Sequence, residues 1–178
     1  MLPQKKIYFH DRYLGPNICL ENNCSTAIKS GSDDLQLVFA DCSFSSGKHY
    51  VEFIFETEPA ERSIIAGLSL ERNEYYFNVR DPKGFWGFIP SECLKIGYND
   101  KNTLEKKEYG TICNIHDSVG ILLEFKDKGL CVSFYINKVN MGYAFENLKS
   151  KVYYPCVALG FDSSKVRIVN DAAFPEAS

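Results

Sequence analysis

The feature that most restricts the fold of this chain is an alternation of apolar and polar residues that recurs along most of its length. Such alternation, with β-branched and aromatic residues enriched, is typical of strands with one buried face, and no long window repeats at helical spacing. Along HYVEFIFE, Val51, Phe53 and Phe55 alternate with Tyr50 and Glu52, so the first three are expected to face a core. Many short strands with short connections predict an all-β fold of two antiparallel sheets packed face to face.

Turn residues separate the predicted strands. Proline and glycine in residues 81–84 (DPKG) predict a tight hairpin between YYFNV and FWGFI, and residues 126–129 (KDKG) predict another between ILLEF and LCVSF. Residues 99–114 have few apolar side chains and many charges, which predicts a long exposed loop. The predicted strands, in chain order, are NICLE, CSTAIK, LQLVFAD, HYVEFIFE, SIIAGLSL, YYFNV, FWGFI, CLKIG, SVGILLEF, LCVSFYI, VNMGYAF, YYPCVALGF and KVRIV.

Composition argues against several classes of protein. The 178 residues, 45% of them hydrophobic, are expected to form one domain. A net charge of -3 with mixed signs disfavours nucleic-acid binding, and no apolar run approaches the roughly 18 residues of a membrane span. Seven cysteines without a secretion signal favour reduced thiols and a cytoplasmic location, with the nucleus as the alternative. No cofactor or metal ion is expected, because C-x-x-C pairs and adjacent Cys/His ligands are missing from the sequence.

Catalytic motifs are also missing from the sequence. It contains no Gly-rich phosphate loop, nucleophile elbow or H-E-x-x-H segment. The one pair that keeps an enzyme under consideration is Cys113 and His116, which lie close together in the chain. We therefore predict a protein that is not an enzyme.

Five segments give the most specific signal when they are taken in order. They are GKHYVEF (47–53), AGLS (66–69), DSVGILLE (117–124), SFYINKVNMGYAF (133–145) and YYPCV (153–157). This ordered set resembles a SPRY domain over residues 16–174, with an N-terminal extension at 1–15 and a C-terminal tail at 175–178. Within that family, MGYAFENLKSKVYYPCVALGF, and WGF followed by CLKIGYNDKN, most resemble the SPRY/SOCS-box branch, although the chain contains no SOCS box.

The resemblance implies a bent β-sandwich of concanavalin-like architecture that binds peptide segments of other proteins through loops at one end, without catalysis. Many relatives are substrate-recognition parts of ubiquitin ligases and others are scaffold modules, so both roles stay open. A monomer without membrane insertion is expected. Because lectins share this architecture, a carbohydrate-binding sandwich is the first alternative, and an enzyme that uses Cys113 and His116 is the second.

The resemblance also implies positions for a peptide-binding site. Counted from Trp86, Tyr75 falls on a tyrosine that lines the peptide pocket of the SOCS-box branch, and Asn78 is assigned to the same part of the site. Phe161 falls on a pocket tryptophan, which keeps an aromatic platform but loses the indole N–H donor. Asp162 replaces a glycine whose backbone approaches the peptide, so a bulky negative group is expected there.

The third part of the implied site is the connection after CSTAIK. Lys29, Ser30, Gly31 and Ser32 occupy the place of a loop that contains arginine and proline in the SOCS-box branch. Relatives with that loop favour an acidic residue followed by asparagines. Neither the arginine nor the proline is present here, so we expect a different peptide in a similar place.

The hairpin SFYINKVNMGYAF departs from the family pattern at its turn. SPRY domains have an Asn-Gly turn at this point, whereas here Lys138 follows Asn137. A positive φ at Lys138 would cost on the order of 1 kcal/mol. Alternatively, the turn shifts by a residue to include Val139 and Asn140. If the turn needs a positive φ, Lys138→Gly is expected to be neutral or stabilising.

Overall fold

The computed structural model describes residues 5–72 and 75–176, and these form a sandwich of two seven-stranded antiparallel sheets. This confirms the predicted fold class. No helix within those ranges is long and apolar enough to cross a membrane. The strands are β1 (Phe9–Leu14), β2 (Ile18–Glu21), β3 (Thr26–Lys29), β4 (Gln36–Ala40), β5 (Lys48–Phe55), β6 (Ile64–Ser69), β7 (Phe85–Ile89), β8 (Leu94–Tyr98), β9 (Leu104–Glu108), β10 (Ser118–Lys126), β11 (Gly129–Ile136), β12 (Val139–Leu148), β13 (Tyr154–Leu159) and β14 (Lys165–Ile168), with one short 3-10 helix at Ala60–Arg62 between β5 and β6.

Pairing between distant parts of the chain builds the centre of each sheet. The first sheet has the order β1-β4-β13-β6-β7-β8-β9, and the second has the order β12-β11-β10-β5-β14-β3-β2. Strand β13 lies between β4 and β6, while β14 lies between β5 and β3, so the last strands of the chain complete both sheets. The fold therefore depends on non-local contacts that close only when the whole domain is formed.

The main core lies between the inner faces of the two sheets. Val51, Phe53 and Phe55 are buried in it, which confirms the prediction for β5. The opposite face of β5 differs from the expectation, because Tyr50 and Glu52 are buried as well. Tyr50 belongs to a small apolar cluster with residues of β10, β11 and the segment after β14. That segment covers a face that local alternation assigned to solvent.

The outer face of the first sheet is covered too. A second apolar cluster contains Leu37 and Phe39 of β4 together with residues of β6, β7, β8 and β13. Tyr75, Phe77 and Val79 pack against it from the connection between β6 and β7. Both sheets are thus buried on two faces over part of their area.

The segment YYFNV was predicted as a strand, and this was wrong. Tyr76 forms an isolated bridge with Gln36, and the segment lies on the sheet as irregular chain. The turn at 81–84 exists, since the Phe85 amide donates to the Pro82 carbonyl at 3.2 Å and Gly84 has φ 70°. The predicted hairpin across it does not exist, because β7 pairs with β6.

Two edge strands were not predicted. Strand β9 lies inside residues 99–114, which had been assigned to a loop, and it pairs with β8. The sequence of β9, LEKKE, is mostly charged. Charged residues protect edge strands against pairing with other chains, so hydrophobicity gives no signal for them. Strand β1 pairs with β4 and lies within the stretch 1–15 that had been assigned to an N-terminal extension.

The two long hairpins have two-residue loops. Lys126 pairs with Gly129 across the β10–β11 turn, as predicted. Ile136 pairs with Val139 across the β11–β12 turn, so the turn is not shifted. Asn137 and Lys138 have φ of 49° and 70°, which is the left-handed backbone of a type I′ turn. Lys138 therefore occupies a conformation that favours glycine.

Candidate functional site

Two connections meet at one end of the sandwich, and they contain most of the residues of the predicted site. The β3–β4 connection contributes Ser30, Gly31 and Ser32, and the β13–β14 connection contributes Phe161 and Asp162. The Gly31 amide donates to Asp162 Oδ1 at 2.7 Å. The structure therefore brings these two parts of the predicted site into direct contact.

Lys29 joins the two connections from a buried position beneath their exposed surface. Its side chain has no exposed area, and its ammonium donates to the Ser32 carbonyl at 2.6 Å and the Gly160 carbonyl at 3.2 Å. A further bond reaches Asp34 Oδ1 at 3.4 Å. An ammonium placed in this way is satisfied by the fold. Lys29 was predicted to contact peptide directly, and its side chain is instead a buried support for the loop above it.

The upper side of the β3–β4 connection is polar and exposed. Ser30, Gly31 and Ser32 are exposed, and Gly31 has φ 64°, where a side chain would be strained. The hydrogen bond from Ser32 is the main cause that lowers the pKa of Asp34, with Gln36 and Lys29 adding to it. The loop thus presents hydroxyl groups and backbone beside fixed carboxylates.

Phe161 stands at the boundary between the core and this loop surface. It lies two residues after the end of β13, whose last residues are fully buried, and its own side chain is half-buried. The Ser164 amide donates to the Phe161 carbonyl at 3.1 Å and closes a turn. An aromatic ring is therefore partly accessible beside the polar loop.

Tyr75 and Asn78 are placed differently. The Tyr75 carbonyl accepts the Leu37 amide at 2.7 Å, so Tyr75 lies close to the start of β4, on the outer face of the first sheet. Its hydroxyl donates to the Arg12 carbonyl at 3.4 Å. Asn78 follows Phe77, whose amide donates to the Leu35 carbonyl at 3.0 Å, and it lines a cavity with Leu37 and Ser69 on the outer face of the first sheet. Asn78 accepts the Arg80 and Asp81 amides, and none of the hydrogen bonds found among the described residues joins it to the loop pair.

Two exposed isoleucines extend the same end of the sandwich, and the sequence did not single them out. Ile112 is 70% exposed, and Ile115 is exposed beside it in the β9–β10 connection. The Ile115 amide donates to the Glu58 carboxylate at 3.0 Å, and Ser63 links the Glu58 carbonyl (3.3 Å) to the Gly160 amide (2.8 Å). The signal available in the sequence was ICNIH, two large apolar residues inside a polar stretch.

A family model for the SPRY domain matches residues 48–171. The chain belongs to the SPRY family. Its structure is similar to the SPRY domain of human HERC1, with a TM-score of 0.76 and 20% identity over 93% of this chain and 99% of that one. It is also similar to the PSpry domain of TRIM65, with a TM-score of 0.66 and 15% identity over 93% of this chain and 90% of that one.

A human SPRY domain gives a third likeness, with a TM-score of 0.64 and 14% identity over 88% of this chain and 97% of that one. A comparison with curated proteins found no match. At these identities the likeness shows the fold alone. Membership of the family adds that SPRY domains are generally protein-interaction modules and typically lack catalysis. The matches do not single out the SOCS-box branch.

The Cys/His pair of this SPRY domain has the wrong environment for a nucleophile. Cys113 is buried, and burial raises the pKa of its thiol to about 12. A thiol with such a pKa is protonated near neutral pH, whereas catalysis by cysteine requires the thiolate. Among the described residues, His, Cys, Asp and Glu side chains form no group of three or more that could hold a metal ion.

Proposed function

We propose that this SPRY domain binds a short extended peptide segment of a partner protein through the joined β3–β4 and β13–β14 connections. The observation that carries the proposal is the buried ammonium of Lys29, which ties the carbonyls of Ser32 and Gly160 under an exposed loop surface. A loop fixed in this way loses little conformational entropy when a ligand binds. Binding loops on a rigid β-scaffold are a common arrangement for recognition.

The chemistry of the surface suggests what the peptide contains. Phe161 offers an aromatic contact, and Ser30 and Ser32 offer hydroxyl groups. The exposed acidic residues of the two connections are Asp33, Asp34 and Asp162, whereas the ammonium of Lys29 is buried. Opposite charges across an interface favour encounter and specificity. We infer a segment with an apolar anchor next to a basic residue.

The wider role follows from the family resemblance and is part of the same proposal. The domain would act as the substrate-recognition or scaffold part of a larger complex such as a ubiquitin ligase, and the sequence pattern of the SOCS-box branch supports this role. All seven cysteines carry free thiols, which supports a reducing compartment, cytoplasm or nucleus.

A peptide selection followed by calorimetry tests the site. Peptides selected from a random library on the whole chain would be titrated against Phe161→Ala and Asp162→Lys. Aromatic anchors and charges at the centre of an interface dominate affinity, so each change should weaken binding by about tenfold or more. Phe174→Ala is the matched control, because Phe174 is an exposed aromatic residue outside the two connections and packs near Tyr50 of β5.

The control should stay within about twofold of the unmodified chain, which is the usual effect of residues outside a hot spot. The site is wrong if Phe161→Ala and Asp162→Lys also stay within that range while both variants unfold at the normal urea concentration.

A further inference from the structure

The proposed peptide site is one part of a larger hydrogen-bonded surface at its end of the sandwich. The bonds through Glu58 and Ser63 join the β9–β10, β5–β6 and β13–β14 connections. Asp117 Oδ1 accepts a hydrogen bond from Asn137 Nδ2 at 2.9 Å, which adds the turn between β11 and β12. The surface therefore extends from Phe161 to the exposed isoleucines of the β9–β10 connection.

Exposed aliphatic side chains are concentrated on this surface. Ile112 and Ile115, the isoleucine pair, are 70% and 43% exposed, and Val139 beside the β11–β12 turn is 59% exposed. Among the described residues, the other exposed large aliphatic side chains are Leu104 and Val152, and both lie at the opposite end of the sandwich. A single exposed apolar residue is ordinary, whereas a group on connected loops is typical of a contact surface.

The backbone holds the isoleucine pair outside the core. Cys113, between the two isoleucines, is buried in the main core and anchors the loop there. The Asp117 amide donates to the Asn114 carbonyl at 3.1 Å, which closes a turn that contains Ile115. In this turn His116 has φ 72°, a conformation that favours glycine. Backbone strain of this kind is concentrated at binding sites, and a loop that is already ordered loses little entropy on binding.

The connections at this end are strongly acidic. They are the β1–β2, β3–β4, β5–β6, β7–β8, β9–β10, β11–β12 and β13–β14 connections. Their only Lys or Arg side chains are Arg62 and Lys138, which form ion pairs with Glu92 and Glu52. Their eight carboxylates are Asp33, Asp34, Glu56, Glu58, Glu61, Glu92, Asp117 and Asp162. Eight carboxylates against two basic groups give these connections a formal charge of -6, whereas the whole chain has -3.

The apolar groups and the charge together select one kind of occupant. An acidic surface favours a basic partner, and the isoleucine pair gains free energy when an apolar side chain covers it. Three hydrogen-bonded steps, through Gly160, Ser63 and Glu58, separate Phe161 from Ile115. Backbones joined in this way lie about 5 Å apart, so the distance is at most roughly 20 Å. An extended segment of about six residues spans it.

We propose that the partner segment bound at Phe161 continues across the β5–β6 connection and places a second apolar side chain on the isoleucine pair. Basic residues between the two anchors face Glu58 and Glu61, which are exposed in that connection. This inference rests on the peptide site proposed above and adds its second half. The ligand is then a basic segment with two apolar anchors about six residues apart.

A double-mutant cycle between the chain and its peptides tests the second anchor. The probes are dodecapeptides selected from a random library on the whole chain, and each apolar residue of a peptide is replaced in turn by serine. Affinity is measured by the fluorescence anisotropy of labelled peptides. Ile112→Ser with Ile115→Ser should weaken binding about tenfold, as the loss of an apolar hot spot does. One serine-substituted peptide should lose nothing further in this variant, and its replaced residue is the second anchor.

Two further variants separate this contact from general effects. Leu104→Ser with Val152→Ser is the matched control, because it removes exposed aliphatic side chains at the opposite end, and affinity should stay within about twofold. Glu58→Gln keeps an acceptor for the Ile115 amide but removes the charge. It should weaken binding about threefold at low salt and less at high salt. All variants should unfold at the normal urea concentration.

Phe161→Ala distinguishes failure of the second anchor from failure of the whole site. If Phe161→Ala weakens binding while the isoleucine variant stays within about twofold, the peptide site stands and the second anchor is wrong. If the isoleucine variant alone weakens binding, the site at Phe161 is wrong, and so is the segment with two anchors. A library that yields no peptide with Kd below about 1 mM refutes both proposals.

Two other results would overturn the second anchor. One is an equal loss of affinity in the isoleucine variant and in its matched control. The other is a dimer in sedimentation experiments that the isoleucine variant abolishes, because a second copy of the chain would then cover the isoleucine pair.

Discussion

Lys138→Gly tests two opposing contributions of one residue to stability: its strained turn backbone and its ion pair with Glu52. With φ at 70°, Lys138 has a left-handed backbone, and glycine should relieve about 1 kcal/mol there. On this ground alone the substitution is neutral or stabilising, as the sequence suggested. The structure adds a second contribution, because Lys138 Nζ forms an ion pair with Glu52, which is buried on the outer face of the second sheet.

The ion pair is expected to outweigh the turn. The Glu52 side chain is 6% exposed and that of Lys138 is 48% exposed, so one end of the pair is desolvated and the other is screened by solvent. Removing one partner of a fully buried pair costs about 3–5 kcal/mol, which we reduce to about 2–3 kcal/mol for this half-exposed case. Glu52 keeps a hydrogen bond from the Tyr50 hydroxyl at 3.1 Å. The net result is a loss of about 1–2 kcal/mol in the free energy of unfolding.

Urea denaturation of a double-mutant cycle separates the two contributions. Lys138→Gly should lower the midpoint in the unmodified chain, and for a domain of this size a loss of 1 kcal/mol lowers Tm by about 2–4 °C. In a Glu52→Gln background the ion pair is gone, so the same change should be neutral or raise stability by about 1 kcal/mol. An equal loss of stability in both backgrounds would refute the role given to Glu52.

Two further predictions follow from buried groups. Lys29→Met leaves the carbonyls of Ser32 and Gly160 without the donor that Lys29 supplies. The free energy of unfolding, measured in urea, should fall by about 3 kcal/mol. A loss below about 1 kcal/mol would contradict the role of Lys29 as a buried support. Burial raises the thiol pKa of Cys113 to about 12, so Cys113 should react with a disulfide reagent at neutral pH far more slowly than exposed Cys19. Mass spectrometry of labelled peptides measures both rates. Equal rates would mean that Cys113 is not buried in solution.

The predictions from the sequence were correct for features that depend on neighbouring residues in the chain, such as side-chain alternation along a strand and tight turns. Val51, Phe53 and Phe55 alternate with their neighbours and are buried between the sheets, and the KDKG turn forms the expected hairpin. The predictions were wrong where a strand lies at the edge of a sheet or where another segment packs over the outer face of a sheet. LEKKE is a strand because β8 provides its hydrogen bonds, and an exposed charged edge has no apolar face to detect.

The candidate site shows the same division. Sequence counting placed Gly31 and Asp162 in one site, and a hydrogen bond joins them. It could not show that Lys29 is buried, because a lysine in a polar loop is normally exposed and its burial depends on carbonyls supplied by a distant connection. It also could not place Tyr75 and Asn78, because the irregular path of residues 75–79 over the outer face has no periodicity.

The sequence by itself determined most of the strands, the turns of the two long hairpins and the SPRY family of this protein, since alternation, turn residues and ordered motifs are properties of short stretches of chain. Only the tertiary structure decided which sheets are covered on both faces, and that the Lys29 side chain is enclosed between two connections. The physical reason is that burial and charge environment depend on every segment that packs nearby. In this fold, those segments come from opposite ends of the chain.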